Sequence, residues 1–206
     1  MKKNNLILAN KIKIYLKKSN KPLILLISGV NGSGKTTLAF HISNLLEIKQ
    51  RVGLGSIVKT LIVMNPKNKV YQKMDNYFLG LTDKELKTQS LILGKIVDFI
   101  IKKYQRGGVS SIIEGVQLLP DYFSNNCIHF HIKIDDLDKY KKQLNNKDTR
   151  YSRNISLSQF RNLLKVNGIF DKEVSRSKIF FIKNSNSIDE NISDILKKII
   201  ISLNLK

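Results

Sequence analysis

The sequence predicts an α/β fold of three layers, in which a mostly parallel sheet carries helices on both faces. Continuous apolar runs are typical of parallel strands buried on both sides. They lie at residues 23–27, 111–113, 128–134 and 178–182. Helical patterns separate these runs, and alternating strands and helices indicate right-handed crossovers. A length of 206 residues predicts a single domain over 1–206.

Capping boxes mark the starts of three helices, because a Ser or Thr is followed three residues later by Glu or Gln. The pairs are Thr82 with Glu85, Ser156 with Gln159, and Ser187 with Glu190. Apolar spacing over residues 6–16 predicts a short basic helix within segment 1–20. The core of the domain is therefore expected to cover about 23–206.

The composition is strongly basic, with 36 Lys and Arg against 16 Asp and Glu and a net charge of +20. Such a surplus suits nucleic acid, a membrane surface or a phosphorylated small molecule. Lysine is abundant throughout, which favours a solvated surface. The single cysteine, Cys127, excludes a disulfide framework and favours the reducing cytoplasm. The apolar run at 6–9 is shorter than a signal-peptide core, and no run reaches transmembrane length, so we expect a cytoplasmic protein with no membrane partner.

The strongest chemical signal is the phosphate loop, residues 29–36, which reads G-V-N-G-S-G-K-T and matches G-x-x-x-x-G-K-[ST]. A buried strand precedes it and a helical pattern follows. Glycines let the backbone amides surround phosphate oxygens at a helix N-terminus. Lys35 would reach the β- and γ-phosphates and Thr36 would place its hydroxyl on Mg²⁺. We predict that ATP and Mg²⁺ bind at Gly29, Asn31, Gly32, Ser33, Gly34, Lys35, Thr36 and Thr37.

Several other nucleotide-binding motifs are absent. GTPases need N-K-x-D, and the nearest string, at 145–148, reads N-N-K-D. The L-S-G-G-Q signature of ABC-type ATPases is missing, and helicases and AAA-type motors need a longer chain. These absences favour a small-molecule kinase that uses ATP rather than GTP.

Glu114 follows the strand at 111–113, and ligands in open α/β sheets bind at the carboxyl ends of strands. Its carboxylate would hold Mg²⁺ or accept the proton of the attacking hydroxyl. The alternative is an acid that faces solvent.

The polar lid segment, residues 138–155, predicts a mobile lid whose Arg150 and Arg153 act on the transferring phosphoryl group. Arg161, on the next helix, is either a substrate-anion clamp or an exposed helix residue.

Four segments together resemble 2-phosphoglycerate kinase and its P-loop kinase relatives. They are residues 26–37 (L-I-S-G-V-N-G-S-G-K-T-T), 51–60 (R-V-G-L-G-S-I-V-K-T), 113–120 (I-E-G-V-Q-L-L-P) and 150–161 (R-Y-S-R-N-I-S-L-S-Q-F-R). The resemblance spans about 23–182. It implies a P-loop NTPase fold and transfer of the ATP γ-phosphoryl group to a hydroxyl of a small, often phosphorylated acceptor.

The sequence departs from this family at two places. Relatives commonly carry an Asp after the second strand and a His after the Glu-Gly pair, whereas this chain has G-L-G-S at 53–56 and Gln117. Glu114 is therefore the leading candidate for general base, and Asp75 is a distant one. Lys59 would suit an anionic acceptor. The acceptor lobe, residues 56–80, reads as an irregular insertion that binds the acceptor.

His129 and His131 alternate on a predicted strand and so share one face. A metal pair would need a third ligand, and neutral core histidines are the favoured interpretation.

Three functions follow from these patterns. The first is an ATP- and Mg²⁺-dependent kinase for a small anionic acceptor. The second is a kinase of the zeta-toxin type, which acts on a nucleotide sugar. The third is a nucleotide-dependent nucleic-acid-binding protein, suggested by the charge but disfavoured because no recognition helix or stacking platform is recognisable. The oligomeric state does not follow from the sequence.

Overall fold

A computed structural model describes residues 3–75, 77–123, 127–145, 155–174, 177 and 179–205. Its strands form one sheet in the order β2-β3-β1-β4-β5, and every pairing is parallel. The strands are β1 (Ile24–Ser28), β2 (Gln50–Gly53), β3 (Ser111–Gly115), β4 (Ile128–Lys133) and β5 (Phe180–Lys183). The predicted α/β class with a parallel sheet is confirmed.

Strand β2 has no apolar run in the sequence, and its position explains why. It is an edge strand that, among the described strands, pairs with β3 alone, and Gln50 and Arg51 are exposed. A strand with this much solvent contact does not need the continuous apolar pattern of a central strand. In contrast, all five side chains of β1 are buried.

Helices cover both faces of the sheet. They are α1 (Lys3–Ser19), α2 (Lys35–Leu46), α3 (Leu54–Met64), α4 (Lys69–Met74), α5 (Asp83–Arg106), α6 (Leu137–Asn145), α7 (Leu157–Val174) and α8 (Ile188–Ser202), with short 3-10 helices at Tyr77–Leu79 and Pro120–Tyr122. Helices α1, α2 and α8 pack against Leu25 and Ile27 of β1. Helices α3, α4 and α5 pack against Ile24 and Leu26. This alternation makes β1 the centre of the core, where each fully buried aliphatic side chain stabilises the fold by about 1.5–3 kcal/mol.

The predicted helix starts are confirmed. The Thr82 and Ser187 side chains each accept from the amide three residues on, and Glu85 and Glu190 complete the boxes at α5 and α8. Ser156 and Gln159 make the same reciprocal bonds at the start of α7. The predicted N-terminal helix is α1.

The acceptor lobe is helical, so the expectation of an irregular insertion was wrong. Helix α3 begins directly after β2, and buried Leu54 packs where a side chain on Gly115 would clash at 2.6 Å. Helix α4 has a local cap, because the Asn68 side chain accepts from the amides of Val70 and Tyr71. Helix α3 was not predicted because several of its apolar residues are not buried, so burial does not follow the apolar pattern.

No helix within the described ranges combines the length and the apolar character that crossing a membrane requires.

Candidate active site

The phosphate loop joins the end of β1 to the start of α2. Gly29, Gly32 and Gly34 have φ angles of 148°, 76° and 98°, a region that side chains other than glycine rarely adopt. Helix α2 begins at Lys35, so its first amides face the loop. Unpaired amides at a helix N-terminus, together with the helix dipole, favour a phosphate group here.

Lys35 is 7% exposed and folds back over the loop, where its Nζ donates to the Val30 carbonyl at 2.8 Å. The ammonium group is therefore held beside the backbone that would surround a phosphate. A compact cation on a flexible stem can exchange a carbonyl for phosphate oxygens without moving the backbone.

Thr36 and Glu114 meet across the sheet. The Thr36 hydroxyl donates to Glu114 Oε1 at 2.9 Å. Strand β3 brings the carboxylate there because it pairs in parallel with β1, with Ile27 opposite Glu114. Both side chains thus lie at the carboxyl edge of the sheet, where open α/β folds bind ligands. Glu114 is half-buried and keeps access to solvent.

A hydroxyl and a carboxylate are oxygen ligands that suit Mg²⁺, which usually takes one or two protein ligands and completes its shell with phosphate and water. Within the described ranges, no three His, Cys, Asp or Glu side chains cluster closely enough to hold a metal ion. The oxygen donors of Thr36 and Glu114 fit a magnesium ion shared with a bound nucleotide. A Cβ on Gly53 would lie 3.3 Å from Glu114 Oε1, so the end of β2 borders the same carboxylate.

The lid segment is described only in part. Helix α6 covers Leu137–Asn145, and the chain is described again from residue 155. The predicted catalytic residues Arg150 and Arg153 lie outside the described residues.

Lys59 and Arg161 lie on α3 and α7, and both are exposed. Among the described residues, neither forms a hydrogen bond or ion pair with Thr36 or Glu114. Arg161 adjoins the contact between α7 and the acceptor lobe, because the next residue, Asn162, donates to the Phe78 carbonyl at 2.9 Å.

His129 and His131 are buried on the face of the sheet that α5 and α7 cover. The Ser28 hydroxyl lies between them, 2.7 Å from His129 Nε2 and 2.9 Å from His131 Nδ1. Burial lowers the pKa of both rings to about 3, helped at His129 by the nearby His131 ring and at His131 by Lys35 and Lys133. Both side chains are buried, as the interpretation as core histidines expects. His131 Nε2 lies 3.7 Å from Asp171 Oδ1, and a neutral ring makes no ion pair there.

Two residues near the site were not singled out for these contacts in the sequence. Gln117 is buried, and its amide donates to the Met74 carbonyl at 3.3 Å and to Gln89 Oε1 at 3.4 Å. It therefore ties the chain that leaves β3 to the end of α4. Tyr140 on α6 donates to the Asn31 carbonyl of the phosphate loop at 2.6 Å. No local pattern marks either residue, because both contacts depend on packing between distant elements.

The loop after β5 also has a structural role. Asn184 Oδ1 accepts from the amides of Asp135 and Asp136, and the Ser185 hydroxyl donates to Asp135 Oδ2 at 2.7 Å. These bonds hold the turn that leads from β4 into α6.

Comparison with known proteins supports the resemblance seen in the sequence. The chain is 21% identical over 132 residues to a 2-phosphoglycerate kinase from Methanothermobacter thermautotrophicus, which covers 55% of this chain and 42% of the relative. It is 20% identical over 210 residues to a 2-phosphoglycerate kinase from Methanopyrus kandleri, which covers 89% of this chain and 62% of the relative. The chain thus spans less than two thirds of the length of both relatives. No family model matches it.

Solved structures share the fold at low identity. A shikimate kinase from Acinetobacter baumannii, in complex with shikimate, superposes with a TM-score of 0.59 at 12% identity and covers 93% of this chain and 99% of its own. A sugar kinase from Janibacter sp. HTCC2649 gives a TM-score of 0.58 at 15% identity and covers 85% and 93%. The chain therefore has the fold of small P-loop kinases and is similar in sequence to 2-phosphoglycerate kinases.

Proposed function

We propose that this chain is an ATP- and Mg²⁺-dependent kinase that transfers the γ-phosphoryl group to a hydroxyl of a small, anionic acceptor resembling 2-phosphoglycerate. The observation that carries the proposal is the contact between Thr36 and Glu114 beside the phosphate loop. This contact joins a magnesium-binding hydroxyl to a carboxylate at the edge where a substrate can bind.

The similar proteins support a phosphotransferase, because all those compared above are named as kinases. Their names include 2-phosphoglycerate, sugar and shikimate, so each acts on a small molecule. The two sequence relatives favour an anionic acceptor, and a net charge of +20 suits one.

Phosphoryl transfer of this kind relies on positioning and on charge stabilisation. Lys35 moves from the Val30 carbonyl to the phosphate oxygens and stabilises their charge. Glu114 would hold the metal ion together with Thr36, or it would accept the proton of the acceptor hydroxyl. A bond forms between that hydroxyl oxygen and the γ-phosphorus as the bond to the β–γ bridging oxygen breaks. Bound Mg²⁺ would neutralise charge on the phosphates.

Four cations complete the proposal. Lys59 and Arg161 bind the anionic group of the acceptor, which their exposure on α3 and α7 permits. Arg150 and Arg153 stabilise the transferring phosphoryl group as part of a lid, in keeping with the planar donor geometry of arginine. The acceptor lobe, residues 56–80, holds the rest of the acceptor.

The test is ADP release from ATP and Mg²⁺ with a panel of phosphorylated hydroxy acids, sugars, nucleotide sugars and nucleosides. We expect stimulation by a phosphorylated hydroxy acid, with loss of the signal in Lys35→Ala. Stimulation by a nucleotide sugar alone would favour the zeta-toxin type instead. Turnover that persists in a folded Lys35→Ala variant would refute the proposal.

A further inference from the structure

Helix α6 packs two side chains, Tyr140 and Leu144, against the phosphate loop. The Tyr140 side chain is 0% exposed, and its hydroxyl donates to the Asn31 carbonyl at 2.6 Å. One turn further on, Leu144 lies against Gly32 so closely that a Cβ there would come within 2.3 Å of Leu144 Cδ2. The peptide unit between Asn31 and Gly32 is thus held from one side by a single helix.

The direction of that peptide follows from covalent geometry. The peptide bond between Asn31 and Gly32 is trans, and in a trans peptide the carbonyl and the following amide point in opposite directions. Since the Asn31 carbonyl faces Tyr140, the Gly32 N–H points away from α6. Within the described ranges this amide donates to no backbone carbonyl, whereas the next amide, of Ser33, is taken by the Val30 carbonyl at 3.2 Å. The Gly32 amide is therefore available to a ligand.

Contacts on two sides hold Tyr140 in place. The amide of Lys139 donates to Asp136 Oδ1 at 2.9 Å at the start of α6, and Lys139 Nζ donates to the carbonyls of Ser185 and Asn186. On the other side, the Tyr140 ring packs against Phe160 of α7 with 5.8 Å between ring centroids. The hydroxyl is thus fixed by groups that do not belong to the phosphate loop, which is what preorganisation of a binding site requires.

We propose that Tyr140 is a positioning residue for nucleotide binding: its hydroxyl holds the Asn31 carbonyl outward and so keeps the Gly32 amide turned toward the phosphates. This inference rests on the proposed function only in taking a nucleoside triphosphate as the ligand. Without the hydroxyl, the peptide samples other orientations. The apparent affinity for the ligand is then the intrinsic affinity multiplied by the fraction of molecules in which the Gly32 amide faces the ligand.

The test compares ATP with inorganic tripolyphosphate, each titrated calorimetrically in the presence of Mg²⁺, in wild type and Tyr140→Phe. The substitution keeps the ring and removes one hydrogen bond. We expect both dissociation constants to rise by the same factor, about 5–10, as the loss of one hydrogen bond implies. Tyr15→Phe on α1 is the matched control and should bind both ligands as wild type does.

Equal weakening of the two ligands assigns the effect to the part of the site that binds the phosphates, because loosening of the base-binding region would affect ATP alone. Dissociation constants within twofold of wild type, or a loss confined to ATP, would overturn the inference. If Tyr140→Phe does not fold, Phe160→Leu decides, since it removes the ring that packs against Tyr140 and so loosens the hydroxyl. Unchanged affinities in that variant would also overturn it.

This binding comparison is separate from catalysis. A wild-type protein that binds ATP but transfers phosphate to no acceptor would contradict the proposed function and leave the role of Tyr140 to be decided by the titration.

Discussion

The two strands that flank β1 bring polar side chains to it in opposite environments. On one side, β3 ends in Glu114, which is half-buried and accepts from Thr36. On the other side, β4 carries His129 and His131, which are 6% and 0% exposed and share the hydroxyl of Ser28. Ser28 directly precedes the phosphate loop, so both sets lie close to the same stretch of chain.

The difference shows that exposure, more than residue type, decides what a titratable side chain can do. Histidine is the usual proton carrier near neutral pH. Here burial lowers the pKa of both histidines to about 3, so they remain neutral and act as packing and hydrogen-bonding groups. Glu114 keeps contact with solvent and with a hydroxyl suited to Mg²⁺, so the chemistry is expected on the β3 side.

The largest effect is expected from Lys35→Ala. Loss of the cation removes charge stabilisation from the transferring group, and kcat should fall on the order of 10³-fold. The measurement is ADP release at saturating acceptor, with thermal unfolding to show that the variant folds. Lys11→Ala, on the exposed side of α1, is the control and should leave kcat unchanged.

Glu114→Gln should follow, with a loss of roughly 10²-fold in kcat, because the amide still accepts from Thr36 but no longer carries charge or takes a proton. Recovery of activity at high Mg²⁺ would assign the carboxylate to metal binding, and an unrecovered loss would assign it to proton transfer. Wild-type activity in the variant would place the chemistry elsewhere and remove the contrast between β3 and β4.

His129 and His131 on β4 are expected to affect the pH dependence of stability rather than the activity. Unfolded histidines take up protons below about pH 6.5, whereas the folded rings resist protonation until about pH 3. The free energy of unfolding should therefore fall as the pH drops from 6.5 toward 3, by up to about 1.4 kcal/mol per pH unit for each histidine. Burial raises the pKa of Asp171, which works in the opposite direction at acid pH.

Urea unfolding at pH 7, 6 and 5 measures this dependence. His131→Phe, which can still stack on Phe170, should reduce the slope between pH 6.5 and 5. His41→Gln on α2 is the control. An unchanged slope in His131→Phe would mean that His131 is not held neutral by the fold.

The smallest effect on kinetics is expected at Lys59 and Arg161, the exposed cations that are proposed to bind the acceptor. Lys59→Ala and Arg161→Ala should each raise the KM for the acceptor by about tenfold and leave the KM for ATP unchanged, as removal of uniform binding does. Steady-state kinetics with each substrate varied in turn provides the measurement. Equal changes in both KM values would argue that these residues act on the nucleotide instead.

Features built from near neighbours could be predicted from the sequence. The glycines of the phosphate loop, the three capping boxes and the apolar run of β1 each depend on residues within a few positions of one another. Such patterns express backbone hydrogen bonding and side-chain periodicity, which do not require knowledge of the fold. The placement of Glu114 also followed, because the rule for strand ends applies to any parallel sheet.

Segments without a local signature could not be predicted in this way. Strand β2 is an exposed edge, and α3 and α4 hold an acceptor lobe whose pattern suggested irregular chain. Their structure depends on what they pack against, such as Leu54 against Gly115.

The sequence by itself determined the phosphate loop, the parallel α/β class and the side chains available for chemistry. Only the tertiary structure decided which of them meet: Thr36 with Glu114 across 78 residues, Ser28 with His129 across 101, and Tyr140 with Asn31 across 109. The physical reason is that strand order and helix packing set these distances, and both arise from burial of apolar surface throughout the chain. The same packing leaves one polar group in contact with solvent and removes another from it.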